Sequence, residues 1–546
     1  MSALRQATFG TKGERSTDRT VRELYDRLPY PAGPKPFSHP DRLATIAVLY
    51  GMDPPRIDCC RVLELGCSDG GNIIPMALNL PSSSFLGIDL SSRQIEMGAR
   101  LIGKLDLSNI ELREMNILDV NAKLGQFDYI LAHGVFSWVT QPVQDKLLEI
   151  IQERLSPTGV AFVSYNTFPG WHSNQVMRDM MLYHCRATSD PRKRAERSVE
   201  LVRFLDDSIG KEETAYAMFL RTFRSEIERL PHRLSYFFHE YLAESNMPCY
   251  FSEFVERIEG VGLEYLSDAD PAVYYGNHLP RPMAEKLKSW AADRIEFEQY
   301  IDFVRNSAFR RSLLCHRGVV PDQERRFTCM QRLHASTQTV PMDSDNDNPS
   351  EGTQKFKTSD NRTFTCDQPL SRALLLRLVR VWPNTVTFDD LLSLSQRTSA
   401  SDDTLDSSPP FGVFDESLTA TLRSLFFSGV IELHASEVQC ARKPGERPCT
   451  TSLVRHQATV GPGVTDQLHR TVNVDDDAAR LLLRHLDGTR DRIALSDILE
   501  NAVSSGRLNI KYKNKPILEA KNLKDVLRRI VDSHLQKLTE CALLIR

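Results

Sequence analysis

Short apolar runs recur through the first third of the chain, each followed by a stretch with helical spacing. Arg61-Val62-Leu63-Glu64-Leu65 is the first and Ser84-Phe85-Leu86-Gly87-Ile88-Asp89 the second; residues 110–115, 127–132 and 159–165 follow. Near-continuous apolar strands alternating with helices belong to a sheet buried on both faces, so an α/β fold with a doubly wound, mostly parallel sheet is expected. Ser91 and Gln94 stand at capping-box spacing and predict a helix opening just after Asp89. Upstream, residues 20–28 and 41–50 read as amphipathic helices, stopped by Pro29 and Gly51. Residues 172–246 are strongly helical, and residues 250–260 and 262–266 then read as a helix and a strand that complete the sheet. This makes 172–246 an insertion standing over the pocket.

Further on the pattern changes. Residues 337–360 are rich in Asp, Asn, Ser and Pro and too poor in apolar positions to pack, so they read as a flexible linker. Helices are expected at 371–381, 388–394 and 418–427, then a strand at 430–434, a succession that resembles a winged helix, with 399–410 as an insert. Asp475-Asp476-Asp477 opens another helix that closes on Arg484 and His485, placing acids at its positive end and bases at its negative end. Leu523, Val526, Leu527, Ile530 and Leu538 form the stripe of a final helix. The expected division is a helical lid at 1–58, a cofactor-binding domain at 59–171, a helical insertion and regulatory region at 172–335, a linker at 336–361 and a mainly α, winged-helix-like region at 362–546.

The chemistry begins at Glu64-Leu65-Gly66-Cys67-Ser68-Asp69-Gly70-Gly71. An acid at a strand end followed by clustered glycines marks a turn that lets a nucleotide-type ligand approach the backbone. Asp89 closes the next strand near the roughly 20-residue spacing at which such an acid reaches ribose hydroxyls. A dehydrogenase turn fits poorly, because Ser68 and Gly71 break the Gly-x-Gly-x-x-Gly pattern that starts at Gly66. Two aromatic loops, His133-Gly134-Val135-Phe136-Ser137-Trp138-Val139 and Tyr165-Asn166-Thr167-Phe168-Pro169-Gly170-Trp171, follow the fourth and fifth strands, where open α/β sheets bind ligands.

The order Glu64-x-Gly66-x-Ser68-x-Gly70, Gly87-Ile88-Asp89, Asn116-Ile117-Leu118-Asp119 and Phe127-Asp128-Tyr129-Ile130 resembles class I methyltransferases that use S-adenosylmethionine (SAM), with a Rossmann-like sheet. Ser68 replaces the middle glycine of that pattern. Tyr30-Pro31, His39 to Ala44, the two aromatic loops, His239-Glu240-Tyr241-Leu242 and the stretch from Asp302 to His316 sharpen the likeness to bacterial methyltransferases carrying a methyltransferase regulatory domain, a group with protein-lysine methyltransferases that modify surface proteins. The resemblance implies that Gly66 and its neighbours line the methionine and ribose part of SAM, Asp89 holds the ribose hydroxyls, and Asn116 and Ile117 flank the adenine. The cofactor-binding candidates are Glu64, Gly66, Cys67, Asp69, Gly70, Asp89, Leu90, Asn116, Ile117 and His133. Tyr165, His133, Trp138 and Trp171 are the candidates for the acceptor pocket, Tyr165 and His133 as hydrogen-bond acceptors from a substrate amine. Each tryptophan alone also suits plain core packing, and His133 a structural hydrogen bond. The N-terminal helices read equally as a lid, with Tyr25 or Tyr30 facing the site, or as a packing cap.

Composition narrows the rest. The 546 residues are 41% hydrophobic with a net charge of −4, which offers no general attraction to nucleic acid or anionic membrane. Eleven cysteines without a CxxC pair argue against a disulfide framework or zinc module, so a cytoplasmic, soluble protein without a metal is expected. His232, His239 and Glu240 lack metal-ligand spacing and read as structural histidines with a neighbouring acid. Helix 415–427 carries one arginine, Arg423, against Asp415 and Glu416, so protein interaction is expected of the C-terminal region rather than DNA binding. The expected activity is SAM-dependent methylation of a protein side chain, lysine N6, with a surface or outer-membrane protein as one candidate acceptor. A small-molecule methyltransferase and a SAM-binding regulatory protein without turnover are the alternatives.

Overall fold

Seven strands pair into one sheet in the computed structural model, which describes residues 32–229, 233–274, 279–319, 329–342, 353–358, 360–399, 416–512, 515–519 and 522–545. The strands are β1 (Arg61–Leu65), β2 (Ser84–Asp89), β3 (Ile110–Glu114), β4 (Phe127–Ala132), β5 (Leu155–Asn166), β6 (Leu263–Asp268) and β7 (Phe309–His316). Their order is β3-β2-β1-β4-β5-β7-β6. The first five are parallel and β7 runs antiparallel to both of its neighbours. The order reverses between β1 and β4, and the loops leaving their carboxyl ends flank the crevice where such sheets take a ligand.

Burial on both faces explains the unbroken apolar runs. Val62 of β1 packs with helices Pro40–Leu49 and Ile73–Asn79, whereas Leu63 and Leu65 pack with helices Gln141–Arg154 and Phe251–Gly260. The helix and strand expected at 250–266 are present as Phe251–Gly260 and β6, and β6 forms the edge of the sheet. Between β5 and β6, however, the chain inserts β7, a strand that the hydrophobic pattern did not mark because Arg310 and Arg311 interrupt it. Arg310 has no exposed surface. Its Nε donates to Asp302 Oδ2 at 2.9 Å, its Nη1 to Glu298 Oε2 at 2.8 Å, and its Nη2 to the Glu298 carbonyl at 3.0 Å. The rings of Phe251 and Tyr274 each lie 3.7 Å from the guanidinium carbon. A charge so completely paired and stacked can sit in a core strand.

From β5 the chain leaves the sheet for helices Gly170–His184, Pro191–Ile209, Ala215–Arg229 and Arg233–Phe237, the last running into a π-helical turn, Phe238–Leu242. Met177, Met181, Val199, Phe223 and Phe237 form their shared core. Residues 1–31, with the expected first helix, Tyr25 and Tyr30, lie outside the described residues, as do His232 and 400–415. The second expected helix is present as Pro40–Leu49.

The C-terminal region holds two units with separate cores. The first contains helices Pro369–Val381, Phe388–Ser399 and Glu416–Phe427, and strands β8 (His334–Ser336), β12 (Val386–Thr387) and β13 (Glu432–His434). Beside it, β9 (Val340–Pro341), β10 (Gln354–Lys357) and β11 (Thr363–Cys366) form a small sheet. Two of these strands fall inside the stretch expected to be a linker, where Phe356 supplies a fully buried anchor; residues 343–352 lie outside the description. The second unit packs helices Ser452–Val460, Asp477–His485, Arg492–Ser504 and Leu523–Glu540 around one core. No helix among the described residues is long and apolar enough to cross a membrane.

Helix Pro40–Leu49 joins the halves. Asp41 Oδ2 lies 3.0 Å from His434 Nδ1, and Asp41 Oδ1 accepts from the Ser436 N–H at 3.0 Å. Burial alone would lower the His434 pKa, but the hydrogen bond and charge of Asp41 outweigh it and hold the pKa above its usual 6.5. The stability from this proton is therefore complete below pH 6.5 and fades as pH rises through the folded value. Calorimetric unfolding of the wild type and His434→Gln is expected to show a gap in Tm that is widest near pH 6 and shrinks toward pH 9. Arg310→Met, which strands two buried carboxylates, is expected to lower stability by about 3–5 kcal/mol in a denaturant titration.

Candidate active site

One cavity of about 500 Å³ opens at the carboxyl ends of β1, β2, β4 and β5. Its floor begins at Gly66, which takes φ +75° and whose N–H donates to the Ile88 carbonyl at 2.8 Å. A Cβ at Gly66 would stand 2.5 Å from Cγ2 of Val135, itself a cavity residue. Ser68, the departure from the glycine pattern, takes φ +54°, a left-handed conformation that costs a non-glycine residue roughly 1–2 kcal/mol. Its N–H faces Asp89 in return. Asp89 Oδ2 accepts from Ser68 N–H at 2.8 Å and Oδ1 from Ser91 N–H at 2.9 Å. These bonds hold the carboxylate at the cavity wall. Helix Ser92–Leu105 can lie against the bend because Gly98 has no side chain; a Cβ there would be 2.5 Å from the Asp69 carbonyl oxygen.

Behind the bend, Asn72 fills every hydrogen-bonding position of its amide. Nδ2 donates to Glu64 Oε1 at 2.6 Å and to Ser38 Oγ at 3.1 Å. Oδ1 accepts from Lys35 N–H at 2.8 Å and lies 2.9 Å from Nε2 of His469, a residue of the second C-terminal unit. Burial pushes the Glu64 carboxyl up to about 8, and its Oε2 is buried without a hydrogen-bond partner. Ser68 Oγ and Gln94 Nε2 are buried and unpartnered as well, Gln94 lining the cavity. An acidic oxygen, a hydroxyl and an amide beside a ribose-type carboxylate match the donor and acceptor set of an amino-acid nucleoside such as SAM.

Asn116 and Ile117 line the same cavity with Met115, and Asn116 Oδ1 is fixed by the Leu118 N–H at 3.0 Å. Leu90 lines it too. Cys67, Asp69 and Gly70 do not. The Cys67 side chain is buried against Gly87, and Asp69 Oδ1 accepts from Gly71 N–H at 3.1 Å, so both serve the shape of the bend. Glu64 stands behind the wall.

At the other end, Trp138 and Trp171 meet edge to face with ring centroids 5.9 Å apart. Both line the cavity, with His133, Asn166, Asn174, His239, Glu240 and Phe309. His133 Nδ1 lies 3.1 Å from Ser164 Oγ. Burial, helped by the charges of Lys35 and Arg311, pushes the His133 pKa down to about 3, so at neutral pH the ring is uncharged and a poor proton acceptor. Tyr165 does not reach the cavity, contrary to expectation. Its ring stacks on Phe254 at 4.1 Å and its hydroxyl lies 3.1 Å from Ser312 Oγ, because alternation along β5 turns Tyr165 into the core and gives the cavity to Asn166. Lys35, Gln94, Asn166, Asn174, His239, Glu240 and Phe309 were not anticipated. His239 and Glu240 stood in a motif already singled out, Asn166 in the second aromatic loop, Gln94 in a capping box and Phe309 in the stretch from Asp302 to His316, but none had been given a place in the site. No group of three or more potential metal ligands occurs among the described residues.

A methyltransferase domain model matches residues 63–161, a predicted methyltransferase regulatory domain residues 233–316, and a PKMT C-terminal winged helix domain residues 446–543. The winged-helix model thus falls on the second C-terminal unit, whereas the succession that suggested a winged helix lies in the first. An uncharacterized protein of Rickettsia prowazekii is 30% identical over 528 residues, which cover 95% of this chain and 93% of that protein. A second from the same organism is 40% identical over 243 residues, 44% of this chain and 96% of that protein. The structure of PKMT2 from Rickettsia typhi in complex with AdoHcy superposes with a TM-score of 0.82 at 30% identity, covering 95% of this chain and all of that one.

Calorimetric titration with SAM is expected to show weakening of roughly 10- to 100-fold for Asp89→Asn, the loss of about 1.5–3 kcal/mol for hydrogen bonds to a charged group. Gly66→Ala is expected to lose at least as much, since it adds strain at positive φ to the collision with Val135.

Proposed function

The chain belongs to the methyltransferase family that includes PKMT2 of Rickettsia typhi, and from that premise we propose that it transfers a methyl group from SAM to lysine N6 of a protein. The observation that carries the lysine reading is the make-up of this cavity. Its Gly66 and Asp89 end suits a nucleoside, and its other end presents Trp138, Trp171 and Phe309. Ring faces attract an ammonium by roughly 0.5–2 kcal/mol, and an apolar surround disfavours its charged form.

SAM, when bound, supplies a methyl group on a sulfonium. Asp89 is assigned to the ribose hydroxyls, Gly66 to the close approach of the methionine part, and Asn116 with Ile117 to the adenine. Glu64 stands behind the wall, where its carboxyl, raised by burial, accepts from Asn72 and braces the bend. His133 and Asn166 offer polar atoms midway along the wall. The main work of these residues is to hold an amine in line with the methyl, and such positioning can supply several kcal/mol of the barrier reduction. Asn72 acts one layer behind by holding Glu64. A protein acceptor is the expected partner, and a surface or outer-membrane protein is one candidate; the large accessory units suit a macromolecular substrate better than a small molecule.

Incubation with methyl-labelled SAM and a mixture of lysine-containing peptides is expected to place label in N6-methyllysine on acid hydrolysis. Label in arginine, in a carboxyl ester or in a small molecule would replace the lysine reading, and SAM uptake without any labelled product would support a regulatory protein instead.

A further inference from the structure

The π-helical turn Phe238–Leu242 sets Glu240 and His239 into the acceptor end of the cavity, beside Trp138, Trp171 and Asn174. Such turns widen a helix at some cost and collect at functional sites. This one is held from below by Arg178, whose guanidinium donates to the carbonyls of Tyr241 at 2.7 Å, Ala243 at 2.6 Å and Glu244 at 3.2 Å. Arg178 therefore spends its charge on the backbone that carries Glu240.

The other charged and titratable groups around the turn are spoken for in similar ways. Arg194 lies over the Phe238 ring at 5.9 Å. Lys35 interacts with Glu64, and Asp89 is held by Ser68 and Ser91 at the nucleoside end. Glu226 and Tyr241 pack behind the turn, and His239 faces the same cavity. Burial alone pushes the Glu240 carboxyl up to about 7. His133, a basic group on the same wall, is too weak a base to take a proton at neutral pH.

We propose that Glu240 receives the ammonium of the substrate lysine, pairing with it on entry and taking its proton before the methyl group moves. The proposal rests on the lysine reading above. The proton passes from Nζ to a carboxylate oxygen of Glu240 and leaves a neutral amine. That amine's lone pair forms the new N–C bond as the carbon–sulfur bond breaks, with its electron pair staying on sulfur. The products are a methylammonium and a thioether, and the proton on Glu240 passes to water as the products depart. The aromatic surround assists by lowering the pKa of the amine toward that of the acid.

The test compares the wild type, Glu240→Gln and Glu240→Asp with labelled SAM and a lysine-rich peptide. Glu240→Gln is expected to take up S-adenosylhomocysteine within twofold of the wild type while methylation at pH 7 falls about 100-fold, in the range typical of a lost general base. The rising limb of kcat/KM near pH 7 should disappear in Glu240→Gln and return in part in Glu240→Asp. Wild-type rates and an unchanged limb in Glu240→Gln would overturn the proposal and leave the lysine reading standing. A wild type that labels products other than lysine would overturn both. Should Glu240→Gln fail to bind S-adenosylhomocysteine, the wild-type profile decides: a limb between pH 6 and 8 supports the assignment and a flat profile overturns it.

Discussion

A guanidinium without solvent, clasped by Asp302 and Glu298 and stacked between Phe251 and Tyr274, holds the far side of the sheet together. Arg310 stands on β7, opposite Tyr165 of β5, and the neighbouring register pair brings Phe309 opposite Asn166. Phe309 and Asn166 are both cavity residues. The ion cluster is thus one residue away from the acceptor wall, and the position of that wall depends on a charge whose burial is tolerable only with every partner present. The helix and strand that follow the insertion, Phe251–Gly260 and β6, are drawn into the same cluster through Phe251 and through Tyr265, whose hydroxyl donates to Glu298 at 2.7 Å.

The nucleoside end relies on hydrogen bonding at shorter range. Asp89 is oriented by two backbone N–H groups, and Glu64 by an Asn72 amide that has no bonding capacity left over. Apart from the reach of His469 to Asn72, one end of the cavity is therefore organised by residues close in sequence, and the other by strands and turns that arrive more than a hundred residues apart.

That contrast explains what could be read in advance. The parallel strands, the bend at 66–70, Asp89, Asn116 and Ile117 were legible because each is a local pattern: an apolar run, an acid at its end, a small residue where the backbone must turn. Tyr165 was misplaced by one position, and a slip of one along a strand moves a side chain to the opposite face. β7 was hidden because two arginines break its apolar run, and only the fold supplies the carboxylates that make Arg310 a core residue. Lys35, His239, Glu240 and Phe309 come from separate segments whose meeting no local pattern records. The winged helix was sought in the first C-terminal unit because both units present amphipathic helices with short strands, and periodicity does not tell one such unit from the next.

The bond between His469 and Asn72 spans 397 residues. At ordinary elongation rates of about 5–20 residues per second, the ribosome completes the last strand of the catalytic sheet, ending at His316, roughly 8–30 s before the imidazole exists. For that interval the amide that braces Glu64 has water in place of its last partner. The buried ring, which stands 4.9 Å from His39 between centroids, is then the closing piece, and the nascent chain acquires its finished loop only after residue 469 has been added.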